Sequence, residues 1–254
     1  MFERIVSSGE WDHLQPVIHS APDYYIPKRL RQNESSSVGA ANAVNDDNVQ
    51  LGGPWIVTFD NFLSSREADR LIELGYEEEY KQSVDVGTLQ FDGSYGEDIN
   101  DGRTSKNAWC QYSCYHDPTS KTVMDRISNV TGVPEPYSEF LQLLKYEPGE
   151  YYRSHHDFID YQRERPCGPR ILTFFLYLSD VEEGGGTMFN DLNITVQPKR
   201  GRALLWPSVK DENLNAWEHK THHEALPVIS GKKFAANAWL HLRNFKAANE
   251  VGCS

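Results

Sequence analysis

The chain has 254 residues, a formal net charge of −12 and a sequence pI of about 5.2. This length suffices for one large domain with a buried core, and the acidic balance leaves no broad basic surface for phosphates, which excludes nucleic acid as a first candidate partner. No run of about 18 apolar residues occurs, so no membrane-spanning segment is expected.

The N-terminal part, residues 1–53, is expected to be an extension that ends in a polar linker. Residues 31–53 are polar, rich in small side chains and without apolar periodicity. The folded domain is expected over residues 54–245, with a short C-terminal tail at 246–254. The compartment stays open between the secretory pathway or endoplasmic reticulum lumen, which three Asn-x-Ser/Thr triplets permit, and the cytoplasm, since no signal peptide is visible.

Two helices are predicted in the middle of the chain. Ser64 with Glu67 forms a capping box, and Gly75 is placed where a helix C-cap belongs. A second helix is predicted from about Ser120 to Val130, with apolar side chains on one face and Gly132 just beyond its end.

The segment between these two helices contains Cys110 and Cys114, two of the four cysteines. A C-x-x-x-C pattern with no second close pair falls short of a structural zinc site. A local disulfide and free thiols both remain open.

From residue 141 onward the pattern changes to short apolar or alternating runs separated by turns that contain glycine or proline. The runs are Leu141–Tyr146, Ile171–Leu178, Thr187–Phe189, Ala203–Trp206 and Phe234–Leu242. Strands at this spacing predict a mainly β fold with flanking helices, arranged as a double-sheet jelly roll or barrel.

A candidate metal site begins with His155 and Asp157. Residues i and i+2 of a strand project to the same face, while His156 projects to the other. A second imidazole from a distant strand would complete the two-histidine, one-carboxylate triad that binds non-heme Fe(II) and leaves coordination positions open. Downstream, both His222 and His223 could supply that imidazole.

A candidate anion site lies further along the chain. On a predicted strand, Lys233, Trp239 and His241 have the same parity, and Lys232 has the opposite one. Lysine at the solvent edge of a strand is ordinary, but a lysine that faces a barrel interior needs an anion. Lys233 is therefore the functional candidate of the two lysines.

Taken together, these residues resemble the prolyl 4-hydroxylase branch of the 2-oxoglutarate and Fe(II)-dependent dioxygenases, of the small plant and algal type. The similarity spans about residues 54–243 and implies a double-stranded β-helix (jelly-roll) core. The matching stretches are Arg103–Ser105, Leu144–Asp157, Arg170–Thr173, Tyr177–Phe189 and His223–His241.

The resemblance implies that His155, Asp157 and His223 bind the iron and, with Lys233, carry the chemistry. His223 is preferred because the family places its distal histidine four residues before a Pro-Val pair and ten before the lysine. Lys233 would bind the distal carboxylate of 2-oxoglutarate. Hydroxyls close to this cosubstrate would come from Tyr146 and Thr173. The residues that would line the peptide groove and proline pocket are Arg103, Ser105, Glu139, Tyr152, Arg170, Trp239 and His241.

The implied reaction is the 2-oxoglutarate- and O₂-dependent formation of 4-hydroxyproline in a proline-rich or collagen-like peptide, with ascorbate as a further cofactor. Two alternatives remain: the same chemistry on another amino acid or small molecule, and a catalytically dead jelly roll that only binds peptides. The chain departs from the family at Phe234, where tryptophan is usual, and at Tyr151 and Arg153 beside the metal motif. These departures concern the substrate more than the chemistry.

Overall fold

The structure is a computed structural model, and it describes residues 1–26, 48–89, 95–98 and 101–252. Its α-helices are α1 (Phe2–Ser7), α2 (Ser65–Glu77), α3 (Tyr112–His116), α4 (Pro118–Thr131) and α5 (Phe245–Glu250). None of the helices in these ranges is long and apolar enough to cross a membrane.

The strands fall into an N-terminal and a C-terminal group. The first group is β1 (Pro16–Ala21), β2 (Gln50–Leu51), β3 (Ile56–Phe59), β4 (Lys81–Gln82), β5 (Asp85–Leu89), β6 (Tyr95–Asp98), β7 (Lys106–Trp109), β8 (Gln142–Tyr146) and β9 (Tyr152–His155). The second group is β10 (Arg170–Tyr177), β11 (Glu183–Gly184), β12 (Thr187–Phe189), β13 (Ile194–Val196), β14 (Ala203–Pro207), β15 (Val209–Lys210), β16 (Asn213–Trp217), β17 (His223–Ala225), β18 (Val228–Ser230) and β19 (Lys233–His241).

Two sheets form the frame of the fold. The main sheet has nine strands in the order β2-β1-β3-β14-β10-β19-β8-β7-β4, and the smaller sheet has the order β13-β12-β17-β9. Three two-stranded ribbons, β5-β6, β11-β18 and β15-β16, accompany them. Strands β10, β14 and β19 are central in the main sheet and pair antiparallel. As in any β-strand, their side chains alternate between the two faces of the sheet.

The alternation along β10 divides the core into two layers. Phe175 and Tyr177 point to the inner face, where they pack with Phe189 of the smaller sheet. Phe174 and Leu176 point to the outer face, where they join the core formed with α1, α2 and α4. Two facing sheets with helices on the outside of one of them are the predicted jelly roll, which is confirmed.

Helix α2 begins as predicted and ends later. The Ser64 hydroxyl accepts from the backbone N–H of Glu67 (3.2 Å), and the Glu67 carboxylate accepts from the backbone N–H of Ser64 (2.8 Å). The helix continues to Glu77, so the assignment of Gly75 to the C-cap is wrong. A Cβ at Gly75 would lie 2.1 Å from the Tyr80 hydroxyl oxygen. The glycine is needed because Tyr80 packs against the helix at this position.

Helix α4 covers the outer core beside α2. Its buried side chains include the predicted Val123, Met124, Ile127 and Val130. The helix begins two residues earlier than predicted because Pro118 takes the first helical position and Asp117 caps it, accepting from the backbone N–H of Thr119 (2.8 Å). Gly132 ends the helix with φ 72°.

The N-terminal residues differ from the expected extension. Phe2 and Ile5 of α1 are buried in the outer core, and Phe2 stacks on Trp55 with 5.6 Å between ring centroids. Strand β1 pairs antiparallel with β3. Residues 1–26 therefore belong to the folded unit, because α1 has its apolar residues at helical spacing and covers the sheet. Residues 27–47 of the expected linker lie outside the described residues.

The C-terminal residues also differ from the expected tail. Phe245 and Ala248 of α5 are buried against Cys167, so residues 245–250 form a packed helix. Residues 253–254 lie outside the described part.

The two neighbouring cysteines of the middle segment, Cys110 and Cys114, form a disulfide. The local pairing is therefore the correct one of the two open alternatives.

Candidate active site

Two strands of the smaller sheet bring His155, Asp157 and His223 together. His155 ends β9 and His223 begins β17, and the two residues face each other in the antiparallel pairing. Asp157 follows β9 and lies between the two imidazoles. Its carboxylate oxygens are 3.8 Å from Nε2 of His155 and 3.7 Å from Nε2 of His223. The three donor atoms lie within 4.8 Å of one another, so they could hold one metal ion.

Backbone carbonyls fix the orientation of both imidazoles. Nδ1 of His155 donates to the carbonyl of Arg153 (2.8 Å), and Nδ1 of His223 donates to the carbonyl of Thr221 (3.0 Å). A proton on Nδ1 leaves the lone pair on Nε2 free, which is the state that a metal requires. Burial, and then the proximity of His223, lower the pKa of His155 to about 3. His155 is therefore neutral at physiological pH.

Thr173 holds the carboxylate of this cluster. Its hydroxyl donates to Oδ2 of Asp157 at 2.6 Å, from the middle of β10. Burial by itself raises the pKa of Asp157, but His223, His155, Arg170 and the Thr173 hydroxyl hold the pKa below its usual range. The Thr173 hydroxyl thus donates its proton to Asp157, and the expected place of Thr173 beside 2-oxoglutarate stays a prediction.

The neighbouring histidines lie outside the cluster. His156 donates from Nε2 to the carbonyl of Glu218 (2.9 Å), and its Nδ1 accepts from the backbone N–H of Phe158 (2.9 Å). His222 contacts the carbonyl of His219 through Nδ1 (2.9 Å). Both side chains are turned away from Asp157, as strand alternation predicts for His156 and as the family spacing predicts for His222.

Lys233 is completely buried at the start of β19. Its Nζ lies 5.1 Å from the ring of Tyr146 and 5.3 Å from the ring of Phe175, and both rings line the cavity that holds the three donors. Within the described residues, Nζ has no hydrogen-bond partner. Burial lowers the pKa of Lys233 to about 7. Lys232 is half exposed and pairs with Glu147 (3.3 Å), so the two lysines face opposite ways as predicted.

Three flat groups stack at the side of the cavity. The Tyr152 ring lies 3.7 Å from the imidazole of His155 at an interplanar angle of 23°, and the Arg103 guanidinium lies 4.6 Å from the Tyr152 ring. Arg103 also donates to Oε1 of Gln142 (3.0 Å), which accepts in addition from Asn237 (3.2 Å). The sequence analysis did not identify Gln142 and Asn237. The parity of Lys233 and Trp239 on β19 includes Asn237 and could have indicated it.

A second group of predicted residues forms an ionic network. Arg170 donates to both carboxylate oxygens of Glu139, at 2.5 and 3.1 Å. The Arg170 guanidinium lies 3.7 Å from the centroid of the Trp239 ring. His241 donates from Nε2 to Glu139 (2.9 Å) and from Nδ1 to the carbonyl of Gly168 (2.7 Å). Burial lowers the pKa of His241, but Cys167 and Glu139 outweigh it and the pKa is raised to about 9.

This network separates the predicted groove residues into two kinds. His241 and Glu139 are both buried, so Glu139 holds the Arg170 guanidinium and His241 holds Glu139 instead of lining a surface. Ser105 is also fully buried and donates to the Ser83 hydroxyl (3.2 Å). Arg170, at the edge of the metal cluster, and the stacked Tyr152 remain partly accessible.

The donor set fits an iron ion with 2-oxoglutarate. Two imidazoles and one carboxylate on one side of a cavity match the ligands that Fe(II) takes in oxygenases. The Lys233 ammonium, which has no hydrogen-bond partner in the part of the chain that the structure describes, fits the remote carboxylate of a dicarboxylic acid, because a buried lysine without a counter-charge is costly and an anion restores its charge. The two sites are neighbours, because Tyr146 and Phe175 line the cavity of the three donors and also flank the Lys233 ammonium.

Known proteins are similar to this chain in sequence and in fold. Residues 141–241 match the 2OG-Fe(II) oxygenase superfamily. Prolyl 4-hydroxylase 5 of Arabidopsis thaliana is 31% identical over 214 residues, which cover 76% of this chain and 70% of that protein. Prolyl 4-hydroxylase subunit alpha-3 of Homo sapiens is 30% identical over 233 residues, or 89% of this chain, but the match spans only 40% of the human subunit.

A solved structure agrees with these relatives. The viral collagen prolyl hydroxylase of Paramecium bursaria Chlorella virus-1, in complex with 2OG, superposes with a TM-score of 0.55 at 28% identity. The superposition covers 73% of this chain and 95% of the viral chain. The shared fold is the jelly roll described above.

Proposed function

Because the chain belongs to the prolyl 4-hydroxylase family of the 2OG-Fe(II) oxygenases, we propose that it hydroxylates proline residues of peptides at C4, with 2-oxoglutarate and O₂ as cosubstrates. One observation carries the proposal: the two imidazoles and the carboxylate converge on a cavity lined by Tyr146 and Phe175, and the buried Lys233 ammonium group, which has no hydrogen-bond partner among the described residues, lies against those two rings. A structural cluster of histidines would not need that lysine, and a binding module without chemistry would need neither.

In this proposal His155, Asp157 and His223 are the iron ligands. Fe(II) supplies, when bound with 2-oxoglutarate, the activation of O₂ that oxidises a C–H bond while the cosubstrate becomes succinate and CO₂. Thr173 keeps Asp157 ionised and oriented. Lys233 binds the far carboxylate of 2-oxoglutarate, and Tyr146 flanks that carboxylate with its ring and hydroxyl.

The peptide groove is proposed to run past Arg170 and Trp239. The indole Nε1 of Trp239 is buried and lacks a hydrogen-bond partner in the described ranges, so its N–H is available for a peptide carbonyl. The Arg170 guanidinium, held by Glu139, forms the polar wall beside the Trp239 ring. Tyr152 supplies the aromatic wall next to His155.

The partner is proposed to be a proline-rich or collagen-like polypeptide, and ascorbate is the reductant expected to keep the iron ferrous. Such a substrate is stiff in the polyproline II form, so ordering it in an aromatic groove costs little entropy. The Cys110–Cys114 disulfide favours an oxidising compartment, which supports the endoplasmic reticulum lumen or secretory pathway over the cytoplasm.

The test is turnover with defined peptides. The protein is incubated with Fe(II), 2-oxoglutarate, ascorbate, O₂ and either a poly-proline or a collagen-like peptide, and succinate and peptide mass are followed. We expect succinate and a gain of one oxygen atom per modified residue, localised by fragmentation to proline. Succinate formation with other substrates, and none with proline peptides, would leave the dioxygenase chemistry and remove the prolyl assignment.

A further inference from the structure

A partly exposed tryptophan adjoins a buried disulfide at one end of the main sheet. Trp109 is the last residue of β7, and the next residue, Cys110, is cross-linked to Cys114. Trp109 is 37% exposed, whereas both cysteines are buried. Tryptophan is a common anchor in binding surfaces because its rigid ring offers a large contact area.

Strand register places Trp109 on the cavity side of the sheet. Trp109 is paired with Gln142 of β8, and Gln142 is paired with Asn237 of β19. Residues directly opposite each other in antiparallel strands project to the same face. Asn237 lines the cavity together with His155 and the other candidate ligands. Trp109 therefore projects from the same face of the sheet as Asn237, which lines the cavity.

Trp109 continues the aromatic surface of Trp239. The two ring centroids are 6.1 Å apart at an interplanar angle of 46°, and Arg170 covers the Trp239 ring. A polyproline II chain advances about 3.1 Å per residue, so rings at this separation match peptide positions about two residues apart. The pair of rings can therefore contact an extended peptide at two positions within one turn of the polyproline II helix.

The disulfide fixes the chain where it leaves Trp109. The backbone N–H of Cys110 donates to the carbonyl of Leu141 (2.8 Å), which extends the β7-β8 pairing by one residue. Tyr112, between the two cysteines, has φ 45°, a conformation that costs a non-glycine residue free energy. The cross-link to Cys114 in α3 holds this turn closed, and Ser120 of α4 contacts Sγ of Cys110 (3.4 Å).

We propose that Trp109 is a specificity-determining residue that contacts the substrate peptide about two residues from the position held at Trp239, and that the Cys110–Cys114 disulfide positions Trp109 for this contact. The inference rests on the proposed function, since it requires a peptide in the groove. It adds a subsite outside the metal cavity and assigns a role to the disulfide.

Steady-state kinetics of Trp109→Ala with two substrates test the contact. With a proline peptide of about ten residues, the peptide KM should rise about three- to tenfold, the worth of one aromatic contact, while kcat and the KM for 2-oxoglutarate stay within about twofold. With a peptide trimmed to the target proline and its immediate neighbours, the same variant should match the wild type. Tyr24→Ala, an exposed aromatic near the opposite edge of the main sheet, is the matched control and should change neither KM.

A double variant, Cys110→Ala with Cys114→Ala, tests the positioning role. It should raise the peptide KM in the same direction as Trp109→Ala with kcat retained, and adding Trp109→Ala to it should give no further increase, because the two changes act on one contact. A thermal melt of each variant shows that it is folded.

The outcomes separate this inference from the proposed function. If the wild type hydroxylates proline peptides and Trp109→Ala leaves the long-peptide KM unchanged, the subsite is refuted while the function stands. If the cysteine variant and Trp109→Ala multiply in their effects on KM, the disulfide does not act through Trp109. If the wild type oxidises no proline peptide, the proposed function and this inference both fail.

Discussion

His155 and His223 face each other directly across the antiparallel pairing of β9 and β17, with 4.3 Å between their ring centroids. The pairing fixes the separation of the two imidazoles by backbone hydrogen bonds, and Asp157 needs only to fold back between them. The geometry of the candidate metal site is thus set by strand register and not by the flexible part of any side chain.

The first prediction concerns these three residues. His155→Ala, Asp157→Ala and His223→Ala should each abolish succinate formation, because a three-donor site has no spare ligand. The matched controls His156→Ala and His222→Ala should retain activity, since both rings bond backbone carbonyls away from Asp157. Full activity of Asp157→Ala would refute the triad.

The second prediction concerns the two adjacent lysines. Lys233→Ala should weaken 2-oxoglutarate binding about ten- to a hundredfold, the loss of a charge-assisted hydrogen bond. Lys232→Ala, which removes an exposed pair with Glu147, should change this affinity little. Calorimetric titration of 2-oxoglutarate into the Mn²⁺-loaded protein measures both. Equal effects of the two substitutions would show that the direction in which each lysine side chain points does not determine which one binds 2-oxoglutarate.

The third prediction is a pH dependence of cosubstrate binding. Burial lowers the pKa of Lys233 to about 7, and a bound carboxylate should raise it, so binding takes up a proton above that pH. The affinity for 2-oxoglutarate should be highest below about pH 7 and fall by up to about tenfold per pH unit above it. Titrations in buffers of different ionisation enthalpy count the protons, and Lys233→Met should remove the dependence.

The fourth prediction separates two roles for Thr173. Thr173→Val removes the 2.6 Å hydrogen bond to Asp157 and should weaken metal binding about ten- to a hundredfold, while 2-oxoglutarate affinity at saturating metal changes little. Thr58→Val, another buried threonine, controls for the loss of a core hydroxyl. The reverse pattern, with cosubstrate binding weakened and metal binding intact, would place the Thr173 hydroxyl on 2-oxoglutarate.

The fifth prediction concerns folding stability. The pKa of His241 is raised from 6.5 to about 9 in the folded protein. Its stabilising contribution is therefore fully present below about pH 6.5 and lost as the pH rises through 9, by about 3 kcal/mol. Urea unfolding at both ends of this range should show the loss in the wild type and much less of it in His241→Gln. His13→Gln, an exposed histidine, should behave as the wild type.

Local patterns in the sequence determined the elements and the candidate ligands. The capping box at Ser64, the apolar stripe of α4 and the runs that became β8, β10, β12, β14 and β19 all depend on short-range periodicity, which the chain carries by itself. The same parity rule placed His155 with Asp157 and separated Lys233 from Lys232. A likeness to a family then chose His223 over His222, which the residues alone had left open.

Tertiary structure decided what contacts those residues make. Only the packed structure shows that α1 and β1 complete the core, that Tyr80 requires Gly75, and that Cys110 is bonded to Cys114. Likewise, only the packed structure shows that the Thr173 hydroxyl donates a hydrogen bond to Asp157, which is sixteen residues away in the chain. Periodicity states which face a side chain occupies, but its partner on that face comes from another strand, and strand order is fixed by long-range packing that no local pattern records.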